Sequence, residues 1–399
     1  MKKIISGELA AVIVILGLGT ISIGVLNPIL PLYLTSIGVG PEILGLMFSV
    51  SMVGMVTGEG YWGWVADRVG LKIPMGVGTF VCALIVFCFV LTQQVTPIFL
   101  IFFFWGVARS ALPPVGRGYI GTTAPLAQKA TFMAFYTTVL AASRSIGALM
   151  SGYLVDTWGY HHAFYTSCGI AVLGGIVMLI GLRKIQMVKS KPPPVSPPPT
   201  GEPLYPDKAY SYRPLAMQCV IAALLFLGMG ISFAFLPLLA TQVVGVTATG
   251  VGILLTIAGA VSVVVGIPMG MLADRKGKRT LMIFGLLISA ASMAGLAFSA
   301  SYSWLIVFMV IRSLGMAMFG PAAVALLSDS VPPQRQNTAM GLYGVFEDIG
   351  VIAGSAMGGF AWKGWGPRPT FLIGTVAAGL GAMICFGLIR EKFPSKPQP

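Results

Sequence analysis

The stretch Gly63-Trp64-Val65-Ala66-Asp67-Arg68-Val69-Gly70-Leu71-Lys72 recurs as Gly270-Met271-Leu272-Ala273-Asp274-Arg275-Lys276-Gly277-Lys278-Arg279, with the two aspartates 207 positions apart in a chain of 399 residues. The polypeptide is two halves of one design. In each copy a long apolar run ends in Asp-Arg-x-Gly with basic residues beside it. A membrane helix ends this way at a cytoplasmic surface before turning tightly into the next helix. Gly63, Asp67, Arg68 and Gly70, with Gly270, Asp274, Arg275 and Gly277, are expected to form gating loops. Asp67 and Asp274 would cap backbone donors and pair with nearby arginines to hold one conformation, without contacting a solute.

The composition is that of a chain solvated mainly by lipid. Hydrophobic residues make up 56% and charged residues 9%, against roughly 45–50% and 25% in soluble domains. The net charge of +13 does not indicate a nucleic-acid partner, because the basic residues sit in short loops between apolar runs instead of on one water-facing surface. Cys82, Cys88, Cys168, Cys219 and Cys385 all lie inside apolar runs without Cys-x-x-Cys spacing and are expected to be reduced packing residues. No cofactor or metal is expected; His161 and His162, adjacent at a helix start, point apart and make a poor metal site.

Apolar stretches of the length needed to cross about 30 Å of hydrocarbon fall at 9–35, 42–65, 73–92, 96–120, 131–155, 162–182, 214–241, 247–272, 279–299, 303–327, 337–362 and 369–389. The expected fold is an all-α membrane protein of twelve transmembrane helices in two pseudo-symmetric six-helix bundles, residues 1–182 and 214–399. Residues 183–213 between them carry Lys189-Ser190-Lys191-Pro192-Pro193-Pro194 and three further prolines at 197–199. Proline at this density reads as an extended linker; recruitment of a partner domain is the other use of such a segment. Lys2, Lys3, Arg68, Lys72, Lys129, the linker, Arg275 to Arg279, Arg335 and the tail all fall on one face, and only Lys363 and Arg368 on the other. The positive-inside rule puts both termini and the linker in the cytoplasm. The 207-residue offset returns late in each half, where Gly147-Ala148-Leu149-Met150-Ser151-Gly152 aligns with Gly354-Ser355-Ala356-Met357-Gly358-Gly359. Two parallel bundles facing each other across a central cavity follow.

An ionised side chain at mid-membrane costs about 2.5–3.5 kcal/mol on insertion scales, so each one kept there needs a reason. Arg109 on the fourth helix and Arg144 on the fifth are expected near the midplane, with Arg117 about 12 Å deeper on the face of Arg109. Glu347 and Asp348 fall near the middle of the eleventh helix, Arg312 near the middle of the tenth, and Glu59 about two turns above the end of the second. The expected cavity has a basic amino-half wall and an acidic carboxyl-half wall, suited to an anionic or zwitterionic solute and to a carboxylate that exchanges protons. The alternative is a structural pair of Arg144 with Glu347. Asp348, about 100° around the helix from Glu347, is expected to be a structural partner if Glu347 faces the cavity. Glu59 is either a proton site or a latch between bundles.

With its two Asp-Arg-x-Gly loops, fourth-helix and tenth-helix arginines, central linker and twelve helices, the chain resembles the major facilitator superfamily over essentially its whole length. Asn27-Pro28-x-x-Pro31-x-Tyr33 and the Gly-rich fifth helix make it most similar to the 12-helix drug:proton antiporter group. It departs from the Gly-Pro-x-x-Gly-Gly pattern of that group, reading Gly147-Ala148-x-x-Ser151-Gly152. The resemblance implies a role in proton transfer for Arg109, with Arg312 as its counterpart. It also implies a secondary transporter that rocks two halves around a small-molecule solute. Proton-coupled efflux of amphiphilic compounds, anionic or zwitterionic, is the leading expectation, and proton symport of an organic anion the alternative. The expected partners are solute, protons and the bilayer, with no nucleic acid, and the chain is expected to act as a monomer. ATP drive and intramembrane catalysis are disfavoured by the lack of a Gly-x-x-x-x-Gly-Lys-Ser/Thr loop, Gly-x-Ser-x-Gly and His-Glu-x-x-His.

Overall fold

A computed structural model describes residues 2–70, 72–111, 116, 129–181, 213–331 and 335–388. Among these lie twelve α-helices and no strand. The amino half holds α1 (Lys2–Ser36), α2 (Pro41–Val69), α3 (Lys72–Leu91), α4 (Val95–Arg109), α5 (Lys129–Trp158) and α6 (Tyr160–Gly181). The carboxyl half holds α7 (Arg213–Leu238, continued by a π-helical turn Leu239–Val243), α8 (Ala248–Lys276), α9 (Lys278–Ala297), α10 (Tyr302–Ser330), α11 (Gln336–Trp365) and α12 (Pro367–Leu388). Ten are long and apolar enough to cross a membrane. The two outside that group are α4, with 15 described residues, and α11, which carries Glu347 and Asp348 at its middle.

The fourth helix, expected over 96–120, is described from Val95 to Arg109 with a turn at Ser110 and Ala111; beyond these only Gly116 of that stretch is described, and it is helical. Arg117 and all of the 183–213 segment except Arg213 lie outside the described residues.

Within the amino half α1 packs on α5 and α6, α2 on α4, and α3 on α6; the carboxyl half repeats this with α7 on α11 and α12, α8 on α10, and α9 on α12. The halves meet along two seams, α2 with α11 and α5 with α8. Gly70, with φ 83°, donates its N–H to Ala66 O at 2.9 Å and ends α2; Gly277, with φ 94°, takes the equivalent place after α8. A left-handed backbone favours glycine, which explains the last residue of each Asp-Arg-x-Gly motif.

Burial is uneven along the membrane normal. One apolar cluster runs through both halves, from Leu26, Phe48 and Phe164 to Ile231, Val251 and Phe371. It lies toward the face of the Gly38 and Gly245 turns, here called the far face. Toward the opposite, terminal face, where α1 begins and α12 ends, the core divides. Val12, Met75 and Met178 belong to an amino-half cluster and Leu215, Met282 and Leu327 to a separate carboxyl-half cluster. The halves are fused at the far face and parted toward the terminal face.

Candidate functional site

Where the halves begin to part, a cavity of about 390 Å³ is lined by α1, α5, α7, α8 and α10. The backbone positions Arg144 on its wall. A Cβ on Gly24 would stand 2.6 Å from Arg144 O, and one on Gly147 would stand 2.4 Å from Ile21 O, so α1 and α5 touch main chain to main chain. That contact leaves the Arg144 side chain to enter the cavity, where it is exposed. On the other half Ser313 donates its hydroxyl to Ala258 O at 3.0 Å, pinning α10 to α8 and presenting Arg312 to the same space. Asn27 and Pro28, from the first-helix motif, line the cavity beside Ser145 and Ser232. Met229, Phe233, Met309 and Met316 form its apolar part. Tyr33, from the same motif, is buried in the amino half and donates to Phe89 O at 3.3 Å.

A second group of charges lies by the α2–α11 seam. Arg109 stacks on the Trp105 ring at 4.7 Å and directs Nη2 toward Met52 Sδ at 3.1 Å. Its Nε is buried with no hydrogen-bond partner among the described residues. Glu59 on α2 and Asp348 on α11 belong to the two helices that form this seam, one from each half.

The acidic carboxyl-half wall expected opposite Arg144 is not there: the described lining contains Arg312 and no carboxylate. Helix phase is the reason. Glu347 and Asp348 sit on α11, which packs between α7 and α2 and contributes none of the described lining. Arg312 is also not the register equivalent of Arg109. The 207-residue offset pairs Arg312 with Trp105, and Arg109 with Met316. Met316, the equivalent of Arg109, lines the cavity together with Arg312, one turn away on the same face of α10.

Of the gating-loop residues, Arg68 lies over the Trp64 ring at 3.9 Å, and a Cβ on Gly63 would meet nothing within 4 Å. The side chains of Asp67, Asp274 and Arg275, and the surroundings of Gly270, lie outside the described residues. Past the second loop, Lys278 pairs with Asp329, and Arg279 donates to Cys385 O at 3.3 Å and to Phe386 O, tying α9 to α10 and α12.

The sequence profile of the Major Facilitator Superfamily matches residues 12–247 and 218–399. The chain belongs to this superfamily. It is therefore an integral membrane protein of a family of transporters, not enzymes, and it moves a solute by secondary transport. An uncharacterized MFS-type transporter of Methanocaldococcus jannaschii is 23% identical to it, over 85% of this chain and 87% of that protein. The multi-drug resistance efflux pump PmrA of Streptococcus pneumoniae is 32% identical over 31% of each chain. The transporter also shares its fold with a bacterial homolog of the human lysosomal transporter Spinster, solved in an inward-facing and unoccupied conformation. That likeness has a TM-score of 0.75 at 14% identity and covers 97% of both chains.

The sequence analysis assigns no role to the seam residues. Gly45, Ser49, Gly252, Thr256 and Asp156 sit where the halves touch (below), and the 207-residue offset that aligns Gly45 with Gly252 and Ser49 with Thr256 was the signal available to find them.

Proposed function

We propose that this transporter exports small amphiphilic organic solutes in exchange for protons, by alternating access of the Arg144–Arg312 cavity to the two faces of the cytoplasmic membrane. The observation that carries this is a mixed polar and apolar cavity shared by both halves, in a molecule whose described core runs through both halves toward the far face and divides toward the terminal face. The efflux pump among the relatives supports the direction. The basic residues of the terminal face support cytoplasmic termini, so that the open side is the cytoplasmic one. Since cavity and seams are completed within one chain, a monomer suffices.

Asp348, with Glu59, is the proposed coupling carboxylate. It comes from the half opposite Arg109, on the helix that packs against α2, so a change in its charge bears on the contact that must open and close. A second direction is favoured by one observation. The described cavity lining carries two arginines and no carboxylate; protonating Asp348 removes a negative charge from the membrane domain that holds them, so proton and anion would bind together. That is the linkage of proton symport of an organic anion.

Proteoliposomes with a pH gradient imposed in either sense separate the two. Accumulation against the proton flow supports exchange, and accumulation with it supports symport. Asp348→Asn is expected to abolish gradient-driven accumulation while leaving solute exchange. The same loss from Glu347→Gln alone would move the coupling group to Glu347.

A further inference from the structure

The cavity holds two guanidinium groups, one from each half, and its described lining supplies no negative charge. Neither Arg144 nor Arg312 makes a hydrogen bond or ion pair with another described residue. Two like charges kept unpaired near the middle of a membrane domain are costly twice, in lost hydration and in mutual repulsion. A structural arginine avoids both by pairing with a carboxylate or with carbonyls, as Arg279 does at the end of α12. These two line one cavity from opposite halves.

We propose that the missing charge is the ligand's. The cavity takes an amphiphilic oxyanion, a carboxylate, sulfonate or phosphate, whose head is held between Arg144 and Arg312 and whose apolar body lies on the methionine-rich wall. The planar donor forks of arginine match an oxyanion with two parallel hydrogen bonds each. Ser145, next to Arg144 in sequence, lines the cavity and offers its hydroxyl to a remaining oxygen, whereas the Ser313 hydroxyl is committed to Ala258 O. Met229, Met309 and Met316 provide an adaptable apolar surface that accepts varied bodies. The head group specifies and the body does not. Because one arginine comes from each half, the anion bridges them, and an occupied cavity draws together helices that stand apart toward the terminal face. A hydrophobic cation of the same shape meets two positive groups and is rejected.

This rests on the transport function proposed above, so binding is measured apart from transport. The full chain is placed in phosphatidylcholine nanodiscs and titrated calorimetrically with naphthalene-2-sulfonate and with the isosteric naphthyl-trimethylammonium ion. The sulfonate is expected to bind and the cation not to. Arg144→Gln and Arg312→Gln should each weaken sulfonate binding by about tenfold or more, and the lysine variants should recover part of it, since an ammonium keeps the charge without the fork. The melting temperatures of the glutamine variants should stay level or rise, because removal of an unpaired cation relieves repulsion. Equal binding of anion and cation, sulfonate binding unchanged in either glutamine variant, or melting temperatures lowered in both and restored by lysine with no change in anion affinity would each overturn the proposal. A lipid phosphate has the same head chemistry as a free anion. Weaker sulfonate binding in phosphatidylglycerol nanodiscs identifies the lipid as a competing source, and unchanged binding identifies the free anion. In proteoliposomes, arginine-dependent binding without sulfonate movement would sink the transport proposal and leave the anion site standing. Movement of neutral or cationic solutes without sulfonate binding would do the reverse.

Discussion

The two seams that close the far face are copies of each other up to their last contact. On the α5–α8 side a Cβ on Gly252 would stand 2.4 Å from Ala148 O, and Thr256 Oγ1 donates to Ser145 O at 3.0 Å. On the α2–α11 side the residues 207 positions away repeat this: a Cβ on Gly45 would stand 2.3 Å from Ser355 O, and Ser49 Oγ donates to Ile352 O at 2.8 Å. Gly152 against Ala248 O and Gly359 against Pro41 O complete the correspondence. The ends then diverge. Asp156 accepts hydrogen bonds from Ala248 N at 3.1 Å and Thr249 N at 2.7 Å, capping α8 from the other half. Its equivalent is Lys363, which bonds Glu42 Oε1 at 2.7 Å in the first turn of α2. Pro41 stands where Ala248 does and has no N–H to offer. A cap in trans is therefore weaker there, and a side-chain ion pair replaces it.

The difference teaches that backbone contact does the fusing and the polar latches trim the balance. Its largest consequence is steric. Gly45→Val or Gly252→Val puts a branched side chain into a main-chain contact, costing about 1–3 kcal/mol in the closed seam. Spin labels at Ser36 and Gly364, exposed on the far face of the two halves, should move from a short to a long distance in most molecules. An unchanged distribution would mean that the glycines do not hold the halves together.

Next is Asp156→Ala, which strips two backbone donors of their acceptor and is expected to cost about 1 kcal/mol, close to a fivefold shift toward the far-face-open state. Asp156→Asn should recover much of this, because its side-chain oxygen still accepts. The hydroxyl pair tests the symmetry itself. Ser49→Ala and Thr256→Val each remove one seam hydrogen bond, worth about 0.5–1.5 kcal/mol, and should shift the distances alike; a marked inequality would show that the seams bear load differently despite their shared register. The smallest effect is expected from Glu42→Gln. Lys363 is 63% exposed, and exposed ion pairs contribute about 0.2–1 kcal/mol and are screened by salt. Any shift should be about twofold or less and vanish in high salt, whereas the Asp156→Ala shift should persist.

The site was only partly legible. Arg144, Arg312, Arg109, Glu59 and Asp348 stood out because charge in an apolar run is costly wherever the helix turns. Glu347, expected opposite Arg144, is not among the described residues of that wall. Which face of α11 meets α2, α7 or the cavity depends on all three neighbours, and adjacent residues such as Glu347 and Asp348 differ by about 100°. The six-residue motif on the fifth helix hid a similar division. Gly147 holds α5 to α1 within its half, whereas Gly152 holds α5 to α8 across the seam.

By itself the sequence determined the membrane class, the duplication and the ends of α2 and α8, because these rest on length, hydropathy and the left-handed turns that favour glycine, all local properties of the chain. Only the tertiary structure decided that Arg144 and Arg312 share a cavity and that the far-face seams are equivalent to within one latch. Each brings together residues from different halves, at a helix rotation set by main-chain contact between elements as much as 300 residues apart, and no periodicity within one helix encodes the phase of its partner.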